Sequence, residues 1–110
     1  MEFTTEDKGR YTEVSANGRL NMVAAPKLRE VIDGVVGAGA KRIVVNLADT
    51  SFMDSSGLGA LIGCLKLARQ SGGDLRIAAV QPQVNMVLEL TSMHRVLTPH
   101  ASPAEAFGNE

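Results

Sequence analysis

The sequence predicts an α/β domain built on a mixed β-sheet, with an antiparallel N-terminal hairpin, parallel strands after it and helices packed on the sheet. Three observations carry this prediction. Short alternating runs flank "EDKG" near the start; a compact β-branched run, Ile43-Val44-Val45, follows a helical pattern; and strand-like and helix-like stretches alternate through the second half.

Taken in order, "MEFTTEDKGRYTEVSANGRL" reads as two strands joined at a turn in which Gly9 takes a left-handed conformation. In "MVAAPKLREVIDGVVGAGA", Leu28, Val31, Ile32, Val35 and Val36 follow three-and-four spacing. Pro26 suits a first helical turn, where its missing donor costs nothing, and the helix is expected to end near Gly37. Lys27, Arg29 and Glu30 form its solvated face. "KRIVVNLADTSF" is read as one strand covered on both faces, because its apolar run is continuous. Leu58, Leu61, Ile62, Leu65 and Ala68 then mark one face of a second helix, which "SGG" at Ser71 to Gly73 stops. "DLRIAAV" is the next strand, and Pro82 opens a helix through about Met93. "VLTPHAS" supplies a short edge strand, and a final turn runs from Pro103 to Phe107. Strand-helix-strand order implies parallel neighbours joined by right-handed crossovers. The ends, "GNE" above all, are expected to fray.

Length and composition narrow the function. The 110 residues suit one domain, 1–110, with a single core. A hydrophobic fraction of 45%, 21% charged residues and a formal net charge of −1 give no electrostatic reason to expect direct nucleic-acid binding. No apolar run approaches the roughly 20 residues that cross a bilayer, so membrane insertion is not expected. Cys64 is the sole cysteine and no charged leader opens the chain, which together point to a reducing, cytoplasmic location. Inside its helix, Cys64 reads as a small buried side chain.

The chemistry concentrates in "FMDSSGLGAL", Phe52 to Leu61, where an aspartate and two serines stand between a strand and a helix. One of the hydroxyls of Ser55 and Ser56, or the Asp54 carboxylate, is expected to cap the helix amides. A cap accounts for one of these groups and leaves the adjacent pair unexplained. Gly57 lowers helix propensity by up to about 1 kcal/mol relative to alanine, which suggests a need for close approach. A serine exposed at a helix start can accept a phosphate, whose charge of about −1.5 to −2 meets the positive helix end. A partner packed on the same spot would experience that charge and bulk as a clash.

"NLADTSFMDSSGLGALIG" resembles the signature of the STAS domain family, in particular its anti-sigma factor antagonists of bacterial partner switching. "GRLNMVAAPKLRE" and "QPQVNMVLELTSMHRVL" resemble further parts of that family, so the similarity spans nearly the whole chain. The resemblance implies a single STAS-type domain that is a binding switch and not an enzyme, with no catalytic residue and no cofactor. It implies that the unmodified protein captures an anti-sigma factor serine kinase and frees a sigma factor. The kinase then phosphorylates Ser56 and weakens capture, and a separate serine phosphatase restores it. By the same resemblance Asp54 shapes the acceptor site, Ser55 caps or contacts the partner, and Gly57 with Leu58 forms a close-contact floor. Met22 and Met53, which flank these loops, are expected at the contact surface. Asn21 stands where the family often has aspartate; it is either a recognition residue or a cap. The free protein is expected to be a monomer or weak dimer. The alternative is a STAS docking subunit of a larger assembly, such as a lipid-transport complex, in which Ser56 is never modified.

Other motifs fail on spacing. In "GLGALIG" Ile62 holds the place of the third glycine of a dinucleotide fingerprint and Gly63 comes one residue late. Neither serine has the flanking glycines of a hydrolase elbow. His94, His100 and Cys64 lack metal-ligand spacing, so no metal is expected, and both histidines read as surface or edge residues.

Overall fold

The computed structural model describes residues 1–108; of the end expected to fray, Asn109 and Glu110 lie outside the described residues. Six strands form one mixed sheet: β1 (Glu2–Asp7), β2 (Thr12–Leu20), β3 (Arg42–Asn46), β4 (Thr50–Met53), β5 (Asp74–Ala78) and β6 (Pro99–His100). The helices are α1 (Ala25–Gly37), α2 (Ser55–Gln70) and α3 (Pro82–Leu90). Strand order is β1-β2-β3-β5-β6, with β4 joined to β2; β1 and β2 are antiparallel and the other pairs parallel. The hairpin turns through Gly9 at φ 85°, and Pro26 sits in the first turn of α1.

Side-chain alternation on β3 divides two cores. Ile43 and Val45 join Leu28 and Ile32 of α1, Leu61 and Leu65 of α2, and Val84 and Leu88 of α3 in the main core. Each of these large aliphatic side chains, fully buried, contributes about 1.5–3 kcal/mol relative to exposure. Val44 points the other way, into a small cluster with Ala78, Ala106 and Phe107, against which Tyr11 packs. The chain's last described residues thus close the far face of the sheet. Arg76 lies 4.4 Å and Arg42 5.9 Å from the Phe107 ring centre, and Arg76 Nη1 donates to the Ala106 carbonyl at 2.8 Å.

Two expectations are corrected. "KRIVVNLADTSF" is two strands, because Asn46 Oδ1 accepts the Ala48 amide at 3.0 Å and turns the chain at residues 47–49. Thr50, buried with its hydroxyl donating to the Ala16 carbonyl at 2.8 Å, then starts β4. Strand β2 serves both: Thr12–Ser15 pair with β3, and beyond a register shift at Gly18 its end pairs with β4. Gly18 has φ 123°, a left-handed backbone that glycine adopts without strain. Helix α3 also stops earlier than expected. Ser92 takes φ 59° after Leu90, and Met93 to Arg95 form a separate 3-10 turn.

Candidate functional site

Leu20 and Met53 pair in register at the ends of two parallel strands, so the segments leaving them emerge side by side. One, Asn21 to Ala24, leads into α1; the other, Asp54 to Ser56, opens α2. The site is therefore a rim where two strands end and two helices begin.

Asp54 is the N-cap of α2, with extended backbone and Oδ1 accepting the Gly57 amide at 2.9 Å. Its other oxygen accepts the Met22 amide at 3.2 Å. The capping expected of either serine or of Asp54 thus falls to the carboxylate. Ser55 is exposed and Ser56 half-buried, both in the first turn of α2. Asn21 knits the opposite turn: its Oδ1 accepts the Val23 and Ala24 amides, each at 3.1 Å, and its carbonyl accepts the Ala25 amide at 2.9 Å. Asn21 therefore caps this turn.

Met22 is 70% exposed, as a contact residue must be. Met53 is not: at 1% exposure it fills the core, because on β4 its side chain alternates to the helix-covered face. The expectation that Met53 contacts a partner is corrected accordingly. Gly57 and Leu58 are buried beneath the site. The close approach that Gly57 permits is internal, since a β-carbon there would overlap the Leu20 carbonyl oxygen and lie 2.8 Å from Leu20 Cγ. A glycine is what lets α2 start against the end of β2.

Three residues at this rim were not singled out from the sequence. Val23 is 82% exposed, so an apolar pair, Met22-Val23, stands out from a tight turn capped by Asn21. The available signal was an "MV" pair placed after Asn21 and before the Pro26 that opens a helix. Gln83, in the first turn of α3, holds the Met53 backbone through both its amide atoms, and Gln81 Nε2 donates to the Ala48 carbonyl at 2.7 Å. Nothing local marks these glutamines, because their partners lie 30 and 33 positions away.

Cys64 is buried, and burial pushes its thiol up to about 11, with the Arg29 charge opposing. Among the described residues no cluster of three or more His, Cys, Asp or Glu side chains is placed to hold a metal. Among them, too, no helix is long and apolar enough to cross a membrane.

The chain matches the family model of the STAS domain over residues 2–106. It is 37% identical over 93 residues to the anti-sigma-B factor antagonist of Staphylococcus aureus, covering 84% of each chain. A crystal structure of a Thermotoga maritima protein superposes with a TM-score of 0.86 at 26% identity, covering 96% of this chain and 91% of the other. The anti-sigma factor antagonist SpoIIAA in its unphosphorylated form superposes at 0.79 and 26% identity, covering 96% and 93%. The Bacillus cell fate determinant SpoIIAA in the phosphorylated form does so at 0.71 and 25%, covering 96% of both.

Proposed function

This chain belongs to the STAS domain family, and on that premise we propose that it is an anti-sigma factor antagonist switched by phosphorylation of Ser56. The observation that carries the reading is the placement of Ser56 in the first turn of α2, partly open to solvent, with capping already performed by Asp54. Because the Ser56 hydroxyl is not itself the cap, a phosphoryl group can be added to it without displacing a core side chain. In the transfer, a bond forms from the Ser56 oxygen to the γ-phosphorus as the bond to ADP breaks, and the hydroxyl proton passes to the kinase. The product carries about two negative charges at the positive end of a 16-residue helix, which tolerates them.

The partner does not tolerate them. In this reading an anti-sigma factor with serine kinase activity docks on Asn21, Met22, Val23, Ser55 and Ser56, supported from below by Gly57 and Leu58. The new charge must then be desolvated against its surface. Tenfold weaker capture needs only about 1.4 kcal/mol, which one poorly paired buried charge exceeds. A serine phosphatase resets the switch. The protein catalyses nothing in this scheme, acts as a single domain, and works in the cytoplasm where sigma factors meet RNA polymerase. The similarity to an anti-sigma-B factor antagonist and to a protein solved in a phosphorylated form supports this reading.

The test is incubation with the cognate kinase and ATP. One phosphate is expected on the wild type and none on Ser56→Ala, and Ser56→Asp is expected to lose affinity for the kinase while keeping its fold. An active kinase that leaves the wild type unmodified would overturn the switch in favour of a docking subunit.

A further inference from the structure

Resting on the phosphorylation reading above, we propose that Asp54 is a positioning residue that passes the state of Ser56 to the Met22-Val23 turn.

The Asp54 carboxylate divides its two oxygens between segments 32 positions apart. Oδ1 holds the Gly57 amide of α2 at 2.9 Å, and Oδ2 holds the Met22 amide at 3.2 Å. A carboxylate is planar and rigid, so it cannot swing away from one amide without moving relative to the other. Within the turn the Asn21 side chain takes the Val23 and Ala24 amides and the Asn21 carbonyl takes that of Ala25, while Ala24, buried in the core, anchors the far end to α1 through its carbonyl and the Leu28 amide. The turn is therefore a small knit unit with Met22 N–H fastened outward to Asp54. Releasing that bond re-aims the unit without unravelling it. What it re-aims are the two most exposed apolar side chains of the rim, Met22 and Val23.

A phosphate on Ser56 disturbs this arrangement in two ways. It puts a near-dianion two residues from the Asp54 carboxylate, and like charges that close repel. Its oxygens also compete for the first-turn amides of α2, the groups Asp54 now caps. Both effects drive the carboxylate off Gly57, and Met22 loses its acceptor in the same motion. Phosphorylation thus charges the rim and also reorients the neighbouring apolar knuckle.

The experiment uses the full chain with phosphoserine installed at position 56 during translation, so no kinase is required, and reads backbone amides by 15N NMR. In the wild type, phosphoserine is expected to shift the Met22 amide and speed its hydrogen exchange at least tenfold. Unmodified Asp54→Asn should show the same Met22 change, because one oxygen can still cap Gly57 while the amide nitrogen cannot accept from Met22. In that variant phosphoserine should move Gly57 but not Met22 any further. If Asp54→Asn does not fold, Asp54→Ser keeps an N-cap and serves instead. A Met22 amide indifferent to phosphoserine, or one that responds equally without the carboxylate, would overturn the coupling. Affinity for the kinase-type partner, measured on the same samples, separates the two claims. Lost affinity with a silent Met22 removes the coupling alone, whereas unchanged affinity removes the Ser56 switch itself.

Discussion

Gln83 grips the backbone of Met53 from both sides, its Oε1 accepting the Met53 amide at 2.8 Å and its Nε2 donating to the Met53 carbonyl at 3.1 Å. The side-chain amide stands in for a neighbouring strand at the residue just before the α2 cap. Replacing it by methionine, similar in length but unable to donate to the carbonyl, is expected to leave part-buried backbone groups unpaired and to cost about 1–3 kcal/mol in urea unfolding. Gln81→Ala, which removes an exposed bond, should cost about 1 kcal/mol or less.

Two glycines of α2 are expected to respond with opposite sign. Gly57→Ala forces a β-carbon into the Leu20 backbone, which cannot move aside, and should destabilise by about 3 kcal/mol or more. Gly59 has nothing within 4 Å of an added β-carbon, so Gly59→Ala should stabilise by about 0.5–1 kcal/mol through helix propensity. Thermal unfolding of the two variants beside the wild type checks both signs.

The Met22-Val23 pair separates binding from folding. Val23 is so exposed that Val23→Asp should change stability by less than about 0.5 kcal/mol. Placed at the proposed partner surface, the same change should weaken capture of the kinase-type anti-sigma factor at least tenfold, measured by calorimetry. Undiminished capture would move the interface away from this turn.

Burial raises the Cys64 thiol to about 11, so the folded chain keeps this proton at a pH where the unfolded chain releases it. That contribution to stability is whole below the ordinary thiol range and fades as pH climbs from about 9 to 11. Urea midpoints should therefore fall more steeply over that interval in the wild type than in Cys64→Ala. At pH 8 a thiol reagent should label the folded protein slowly, and quickly once urea unfolds it.

Much of this molecule was legible because its signals are local. The Gly9 hairpin, Pro26 at the start of α1 and the three-and-four spacing of α2 each rest on residues within a few positions of one another. The break between β3 and β4 was not legible, since "NLADTSF" holds neither glycine nor proline and the turn depends on one Asn46 side chain bonding two residues ahead. Asp54 was readable as a cap from its place before the helix, but its grip on Met22 depends on β2 and β4 ending in register. Met53 could not be assigned to core or surface from type alone, because methionine serves in both and its side was fixed by the pleat of a strand the sequence hid.

Phe107, within reach of the Arg42 and Arg76 guanidinium groups and clustered with Val44, has a further consequence for how the molecule opens. With Arg10 Nη2 donating to the Gly108 carbonyl across 98 positions, this latch ties the carboxyl-terminal segment to the β1-β2 turn while burying little besides one ring and a few methyl groups. A contact between such distant positions that buries so little has little to hold it shut, so this latch is expected to open ahead of the main core. Amide exchange in β6 and at Ala106 should therefore outpace that of β3, and a protease should find the carboxyl-terminal segment long before it reaches the phosphoacceptor rim.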